Sequence, residues 1–431
     1  MSHFLFATLP FAGHTLPALP IAAELIRRGH SVRWYTGARF ADRITAIGAT
    51  HHSMSGYDFS VADLDTFYPE RLRHSGIRRL KFDLVATFAR PVATHLADLR
   101  SLLDQHPADA LVGDTGLLAG PILSDLGGPP LGVMSISVIN LPGLDQAPIG
   151  LGLPPTSTTL GRLRNRLLHK TVSSLLFKPM YDEINRIRHE YGLSEVAVAP
   201  GYLPDADMIL QLSTPGSDYP ADDLPASLRH VGPPRPLPTS WERPGWWSDL
   251  ASSAKPVVLV TQGTLTTDHR ELLRPTLDAL AEENVLVVAV TGGPDPAGLG
   301  RLPANARVAQ FLPFDEVLPL ADVYVTNGGF GGVQLALSHG VPIVAAGKTE
   351  DKADVAARVA FTGVGLNLKT QKPSARRVRT AVKALLADDR YRVAARRVQA
   401  EIEAAGREER AADLLAELAR RPTEPLARTL S

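Results

Sequence analysis

The chain has 431 residues, more than one hydrophobic core usually serves, so we expect two domains. Lysine and arginine together number 45, as do aspartate and glutamate, and this balance disfavours nucleic acid or another polyanion as a partner. Cysteine is absent, which excludes disulfides and thiolate metal sites. The first residues run directly into a strand pattern, and no apolar run approaches the roughly 20 residues of a spanning helix. We therefore expect a cytoplasmic protein without a membrane span.

Short apolar strands alternate with helical patterns in the N-terminal half of the chain. This alternation is typical of a doubly wound α/β domain with a parallel sheet, and we assign that domain to residues 1–213. The predicted strands lie at 3–8, 31–36, 110–113 and 131–136, and the predicted helical segments at 15–28, 70–105 and 118–126.

A proline-rich stretch without helical periodicity predicts an interdomain linker over residues 214–250. A second α/β series follows and predicts another Rossmann-like domain over 251–405, with a closing helix and frayed tail over 406–431. The fold class is therefore α/β, with two facing domains that each contain a parallel sheet. The predicted strands of the second series lie at 256–264, 285–293, 307–314, 322–326, 341–346 and 363–368.

Two polar residues at strand ends of the first domain form a candidate catalytic pair. His14 follows the first strand and Asp114 ends another, so both fall at the carboxyl edge, where α/β proteins build their sites. A neutral imidazole can act as a general base, and a carboxylate can fix its tautomer. The plainer alternatives are a histidine that fills the start of a helix and an aspartate that caps one.

Segment 326–352 places a glycine cluster between an apolar strand and a helical pattern, which predicts a turn that cradles phosphate. The charged residues that follow the next strand would lie at the same edge. The segment contains no Walker loop, and NGGFGG lacks the ribose carboxylate of a dinucleotide fingerprint, which disfavours NAD. The candidate donor-site residues here and at neighbouring strand ends are Gln262, Gly263, Thr264, Gly292, Asn327, Gly328, Gly329, Gly331, Gly332, Val333, Glu350, Asp351 and Lys352.

With these positions identified, nearly the whole chain resembles the family 1 nucleotide-sugar glycosyltransferases of the GT-B fold, especially bacterial natural-product enzymes. The resemblance depends on FAGHTLPALPIAAELIRRGHSV near the start, Asp114, VGPPRP in the linker, and the long run from FLPFDEV to KADVAARV. It implies an inverting transfer of a hexose, with glucose favoured, from a UDP- or dTDP-sugar. His14 matches the family's base and Asp114 its partner.

The resemblance also assigns the rest of the donor site. Phe311 would pack on the nucleobase, and the backbone of Leu312 would bond to the base edge. It implies no metal, because helix N-termini and backbone amides can balance the diphosphate charge. No other cofactor is expected beyond the nucleotide-sugar co-substrate, and the protein would be a monomer or a homodimer.

Several positions depart from the family's pattern. Asn327 stands where the family usually has histidine; its amide can donate to a β-phosphate but cannot become cationic. Gly332 replaces the serine or threonine of the α-phosphate site, and Leu335 replaces a ribose-binding glutamate. The family's Asp-Gln pair reads Asp351-Lys352, and lysine can only donate. These changes indicate an altered donor or a degenerate site.

A mostly apolar pocket would suit a hydrophobic acceptor. The candidate acceptor residues are Phe11, Phe59, Phe88, Met134 and Ile136, although aromatic and aliphatic residues are more often core. One alternative is a sterol or lipid glycosyltransferase that works at a membrane surface, which the balanced charge and the lack of a basic amphipathic helix disfavour. Another is a non-catalytic auxiliary protein that activates a partner transferase.

Overall fold

A computed structural model describes residues 1–62, 64–139, 145–198, 205–221, 224–263 and 268–421. Within these ranges the strands form two fully parallel sheets, of seven and six strands, which confirms the predicted α/β class. The strands of the first sheet are β1 (His3–Ala7), β2 (Ser31–Thr36), β3 (Thr50–Ser53), β4 (Ala110–Asp114), β5 (Leu131–Ser135), β6 (Met208–Gln211) and β7 (Leu228–His230). The strands of the second sheet are β8 (Val257–Thr261), β9 (Leu286–Val290), β10 (Ala306–Ala309), β11 (Val323–Thr326), β12 (Ile343–Ala345) and β13 (Gly365–Asn367).

The order of the strands creates one switch point in each sheet. The orders are β3-β2-β1-β4-β5-β6-β7 and β10-β9-β8-β11-β12-β13. The chain thus builds outward in both directions from β1 and from β8, and such a reversal leaves a crevice at the carboxyl edge. Ala7 pairs with Gly113, and Thr261 pairs with Thr326. The residues that follow these four strands are therefore neighbours at the two crevices.

Helices cover the faces of both sheets. They are α1 (Ala12–Thr15), α2 (Leu19–Arg27), α3 (Ala41–Ala46), α4 (Leu64–Phe67), α5 (Gly76–Leu84), α6 (Val92–Gln105), α7 (Ala119–Asp125), α8 (Thr159–Val172), α9 (Lys178–Glu190), α10 (Trp247–Ala251), α11 (Leu273–Leu280), α12 (Phe314–Val317), α13 (Phe330–Ser338), α14 (Lys352–Phe361), α15 (Ala375–Ala387), α16 (Arg390–Ala404) and α17 (Arg407–Leu418). Two π-helical segments, Val85–Ala89 and Ser173–Phe177, interrupt long helical runs.

Proline divides two of the predicted helices. The helix expected over 15–28 is α1, a 3₁₀ turn at Leu16–Ala18 and α2, because Pro17 and Pro20 open new helical starts. The amphipathic segment 70–105 likewise separates into α5, a π-helical turn and α6, which begins directly after Pro91.

Segment 214–250 is tied to the first sheet. Strand β7 lies within it and pairs with β6, with Gln211 opposite His230. Helix α17 also returns to the first domain, where the guanidinium of Arg28 lies 2.5 Å from the Asp413 carboxylate and Leu415 packs beside Gly132. The C-terminal end of the described chain therefore packs against the domain that β1 begins.

Among the described residues, no helix is both long enough and apolar enough to cross a bilayer.

Candidate active site between the two sheets

The structure places His14 and Asp114 in direct contact. The Nδ1 atom of His14 lies 2.7 Å from Oδ1 of Asp114. The backbone amides of Leu9 and Gly116 also donate to this carboxylate, at 2.8 and 2.7 Å. The Asp114 side chain has no exposed surface, whereas 21% of the His14 side chain is accessible. With Asp114 ionised, Nδ1–H donates to it and the neutral ring keeps its lone pair on Nε2.

Gly116 is a component of the pair that sequence reasoning missed. A Cβ atom at this position would lie 2.6 Å from Leu9 Cδ1 and 3.0 Å from both Asp114 Oδ1 and His14 Cε1. A side chain here would therefore displace the imidazole or its partner. The signal in the sequence was a glycine two residues after the strand-end aspartate.

The predicted phosphate turn has the expected backbone form. Gly328 follows β11 with φ +85°, and its amide donates to the Thr326 hydroxyl at 3.2 Å. Gly329 then caps the N-terminus of α13. A Cβ atom at Gly331 would meet nothing within 4 Å, so the first turn of α13 is open. The positive end of this helix faces open space beside the glycines.

Two predicted donor residues instead hold the turn together. The Asn327 amide donates to the Gln262 carbonyl, and its oxygen accepts from the Gly329 amide at 3.4 Å. The Gln262 side chain is fully buried and donates to the Asp268 carbonyl at 3.0 Å. Both residues also line a cleft together with Lys352, and their contact with the nucleotide sugar stays a prediction.

Val333 lies within helix α13, and its place in the donor site stays a prediction. Its amide bonds to the Gly329 carbonyl at 3.1 Å within the helix, and its side chain is 2% exposed. Gly263 adopts φ +74°, and a Cβ atom there would lie 3.3 Å from the Asn327 amide nitrogen. Thr264 lies outside the described residues.

Gly332 faces a hydroxyl of its own domain. A Cβ atom there would lie 2.9 Å from Tyr324 Oη. Tyr324 is fully buried on β11, and burial raises the pKa of its hydroxyl, which also bonds to Thr326. The replacement of serine or threonine by glycine at this position is therefore matched by a tyrosine hydroxyl that fills the space.

Lys352 supplies a cation beside the glycine turn. It is 7% exposed, and its Cβ atom lies 3.8 Å from the position that a Gly328 Cβ would occupy. Its ammonium group donates to the Glu350 carboxylate at 2.7 Å. Lys352 lines a narrow cleft together with Gln262, Glu271, Leu272, Asn327, Gly347, Thr349 and Gln371. Glu350 has a left-handed backbone, with φ +56°.

Phe311 is the expected exposed aromatic ring. It is 62% exposed, whereas Leu312 is 6% exposed. Gly292 adopts φ +73°, and its amide bonds to the Gln310 carbonyl at 2.9 Å. This places Phe311 beside Gly293 at the carboxyl edge of β9 and β10. A flat base could stack on this ring.

Asp351 joins the carboxyl edges of the two domains. Its Oδ2 atom accepts a hydrogen bond of 2.6 Å from the Ser137 hydroxyl, just after β5. Burial raises the pKa of the Asp351 carboxyl group. The Ser137 hydroxyl group is thus already bound to Asp351 at the place where the two sheets face each other.

Two further residues of α14 continue this contact, and sequence reasoning missed both. Asp354 accepts from the amides of Gly150 and Gly152, at 2.6 and 3.1 Å. Arg358 bonds to the buried Asp218 carboxylate and, at 2.5 Å, to the Ile139 carbonyl. Asp351, Asp354 and Arg358 have an i, i+3, i+7 spacing, so one face of α14 forms the domain contact.

The predicted acceptor residues differ in how deeply they are buried and in whether they lie near His14. Phe11 stacks on Phe59 at 5.7 Å and lies 5.7 Å from the His14 ring. Phe88 and Ile136 are partly buried. Met134 is fully buried in the core cluster on one face of the first sheet. The prediction for Met134 is corrected, because a side chain without exposed surface cannot touch an acceptor in this conformation.

Among the residues that the structure describes, no three His, Asp or Glu side chains are arranged to hold an ion.

Comparisons with known proteins identify relatives of the whole chain. Residues 274–418 match the family described as "Erythromycin biosynthesis protein CIII-like, C-terminal domain". The chain is 40% identical to 4'-demethylrebeccamycin synthase of Lentzea aerocolonigenes, over 92% of this chain and 94% of that one. It is 31% identical to UDP-glucosyltransferase 1 of Beauveria bassiana, over 91% and 90%. The crystal structure of CalG4, the calicheamicin glycosyltransferase, superposes with a TM-score of 0.75 at 25% identity and covers 98% of this chain and 100% of that one.

The two facing parallel sheets define a GT-B architecture, in agreement with the structural match. The chain belongs to the family 1 nucleotide-sugar glycosyltransferases and is a glycosyltransferase.

Proposed function

We propose that the enzyme transfers a hexose from a UDP- or dTDP-sugar to a hydroxyl group of a hydrophobic natural product, with inversion at the anomeric carbon. Glucose is the favoured sugar, in keeping with the relative named a UDP-glucosyltransferase. The natural-product acceptor is supported by the relative named 4'-demethylrebeccamycin synthase and by Phe11, which lies beside His14 and stacks on Phe59. The observation that carries the proposal is the bond between His14 and the buried Asp114.

In the proposed step, Nε2 of His14 takes the proton of the acceptor hydroxyl. The acceptor oxygen attacks the anomeric carbon, and the bond from that carbon to the β-phosphate oxygen breaks. The nucleoside diphosphate leaves with the bonding electron pair, and the imidazolium later releases its proton to solvent. Asp114 stabilises the imidazolium while it exists.

We propose that protein groups balance the diphosphate charge without a divalent cation. The open N-terminus of α13 presents amides at Gly331 and Gly332. Lys352, beside Gly328, adds a positive charge once its ammonium group exchanges the Glu350 carboxylate for a phosphate oxygen. Phe311 would stack on the base, and Asp351 would exchange the Ser137 hydroxyl for a sugar hydroxyl. Transfer should persist in excess EDTA, and loss of turnover that Mg²⁺ restores would contradict this arrangement.

A screen of hydroxylated hydrophobic acceptors with several nucleotide sugars, read by mass shift, tests the reaction itself. We expect a hexose adduct with the wild type and none with His14→Ala. Calorimetry with UDP, dTDP and GDP tests the donor separately, and absence of binding by all three would contradict the donor assignment. A His14→Ala variant that transfers the sugar as well as the wild type would exclude His14 as the base.

A further inference from the structure

Helix α8 carries an exposed row of leucines on the side of the protein away from the core. Leu160, Leu163 and Leu167 have an i, i+3, i+7 spacing, which places them on one face. They are 80, 58 and 66% exposed, while Asn165 on the opposite face is fully buried. Single exposed leucines are common, but a row of them is typical of an interaction site.

The apolar row continues onto a second helix. The π-helical segment Ser173–Phe177 extends α8 and packs against α5. Its Leu175 is 56% exposed, and Ile77 and Leu80 of α5 are 70 and 45% exposed. We call this surface the leucine ridge, which comprises Ile77, Leu80, Leu160, Leu163, Leu167 and Leu175.

Basic residues flank the ridge, although the whole chain has no net charge. Helices α5 and α8 contain one acidic residue, Asp83, which pairs with Arg71. Arg162 pairs with Asp145, but Arg166 and Lys170 have no acidic partner within the described ranges. The basic residues of the two helices are Arg78, Arg79, Lys81, Arg162, Arg164, Arg166 and Lys170.

We propose that the leucine ridge docks the N-terminal domain on the surface of an anionic lipid bilayer. Exposed leucines flanked by arginine and lysine are the composition of a helix that lies in a membrane interface, and each basic residue near an anionic surface adds attraction. A second copy of the chain is a poor occupant, because a two-fold contact would place like charges opposite each other. The sequence analysis counted the lack of a basic amphipathic helix against a protein that works at a membrane surface. Helix α8 is such a helix, so that part of the argument was wrong.

The ridge is connected to the candidate active site through aromatic contacts. Phe82, on the inner side of α5, packs against Tyr68 at 5.6 Å, and Tyr68 packs against Phe59 at 6.2 Å. Phe59 stacks on Phe11, which lies beside His14. Phe59 and Tyr68 are buried, so these rings form a packed contact and not a channel. If the proposed function holds, on which this step alone rests, docking would hold the acceptor side of the domain close to molecules dissolved in the bilayer.

Vesicle flotation tests the docking surface. The wild type should float with vesicles of phosphatidylcholine containing about one third phosphatidylglycerol, and far less with phosphatidylcholine alone. Replacement of Leu160, Leu163 and Leu167 by Gln should reduce the floated fraction at least about tenfold, and Arg166→Gln with Lys170→Gln should weaken the preference for anionic vesicles. Val393→Gln, a matched change at a residue that is 65% exposed in the second domain, should float like the wild type.

An unchanged melting temperature of the triple variant would establish that it is folded. The proposal is overturned if the wild type does not bind anionic vesicles, or if the triple variant floats equally well. Dissociation of a wild-type dimer by the triple change, seen by size exclusion, would also overturn it in favour of self-association. Flotation needs no sugar transfer, so its failure is distinct from failure of the proposed reaction.

Discussion

The Nδ1 atom of His14 lies 2.7 Å from Oδ1 of Asp114, although 100 positions separate the two residues in the chain. The contact exists because β1 and β4 are adjacent parallel strands whose carboxyl ends coincide. The backbone amides of Leu9 and Gly116 hold the Asp114 carboxylate in place. The imidazole is thus oriented before any substrate binds, as a general base requires.

Asp114→Asn tests this orientation. An asparagine amide can donate to the ring and favours the tautomer without a lone pair at Nε2, so turnover should fall by about 10²- to 10⁴-fold. The affinity for the nucleotide should be unchanged, as measured by calorimetry beside steady-state kinetics. The exposed Asp109→Asn is the control and should retain full activity. Normal turnover of the Asp114 variant would show that the pair is structural.

Lys352→Gln tests the buried cation beside the glycine turn. A charge-assisted hydrogen bond contributes about 1.5–3 kcal/mol, so the Kd for UDP or dTDP should rise by about 10- to 100-fold. Isothermal titration measures the change directly. Lys383→Gln removes a lysine far from the cleft, one that contacts Glu283 instead, and should bind like the wild type. Equal affinities of both variants would exclude Lys352 as a phosphate ligand.

Gly332→Ala tests the space that the Tyr324 hydroxyl occupies. The added methyl group would lie 2.9 Å from that oxygen, and such overpacking should lower the free energy of unfolding by about 1–3 kcal/mol. Gly331→Ala is the matched control in the same turn, since its methyl group meets nothing within 4 Å. Denaturant unfolding measures both variants. In the Tyr324→Phe background the Gly332→Ala penalty should shrink, and an undiminished penalty would contradict the clash.

The buried His95 side chain should make the folded protein less stable as the pH falls. Burial lowers the pKa of this 2% exposed imidazole from 6.5 to about 4, and its Nε2 atom has no partner among the described residues. In the unfolded chain His95 therefore binds a proton near pH 6.5, whereas in the folded chain it binds that proton only near pH 4. Stability should fall as the pH decreases through this window and be unaffected by His95 above it.

His95→Leu should reduce the slope of the unfolding free energy against pH, between about 4 and 6.5, by up to about 1.4 kcal/mol per pH unit. Denaturant titrations at a series of pH values measure this slope. The exposed His189→Gln is the control and should leave the slope unchanged. An equal slope for His95→Leu and the wild type would show that other groups carry the acid sensitivity.

Several features could be predicted because they depend on local pattern. Buried strands appear as short apolar runs, and this alternation of strands and helices was sufficient for the α/β class and for the residues at strand ends. The same reasoning misjudged side chains whose environment depends on distant segments. Met134 lies near the carboxyl end of an apolar strand, where a pocket residue could stand, but the surrounding core buries it completely. Helix α8 was overlooked because its exposed face is evident only once Asn165 is seen to point inward.

The sequence by itself determined which chemical groups stand at the ends of the parallel strands, since strand ends are encoded by neighbouring residues. The groups that could be located in this way are His14, Asp114, the glycine turn and Lys352. Only the tertiary structure decided which partner each group takes. The Asn327 amide bonds to the Gln262 carbonyl within the second domain. Asp351 bonds to Ser137 and Arg358 to Asp218 between the two domains. Buried polar groups must find hydrogen-bond partners wherever the fold provides them, and those partners lie far away in the chain.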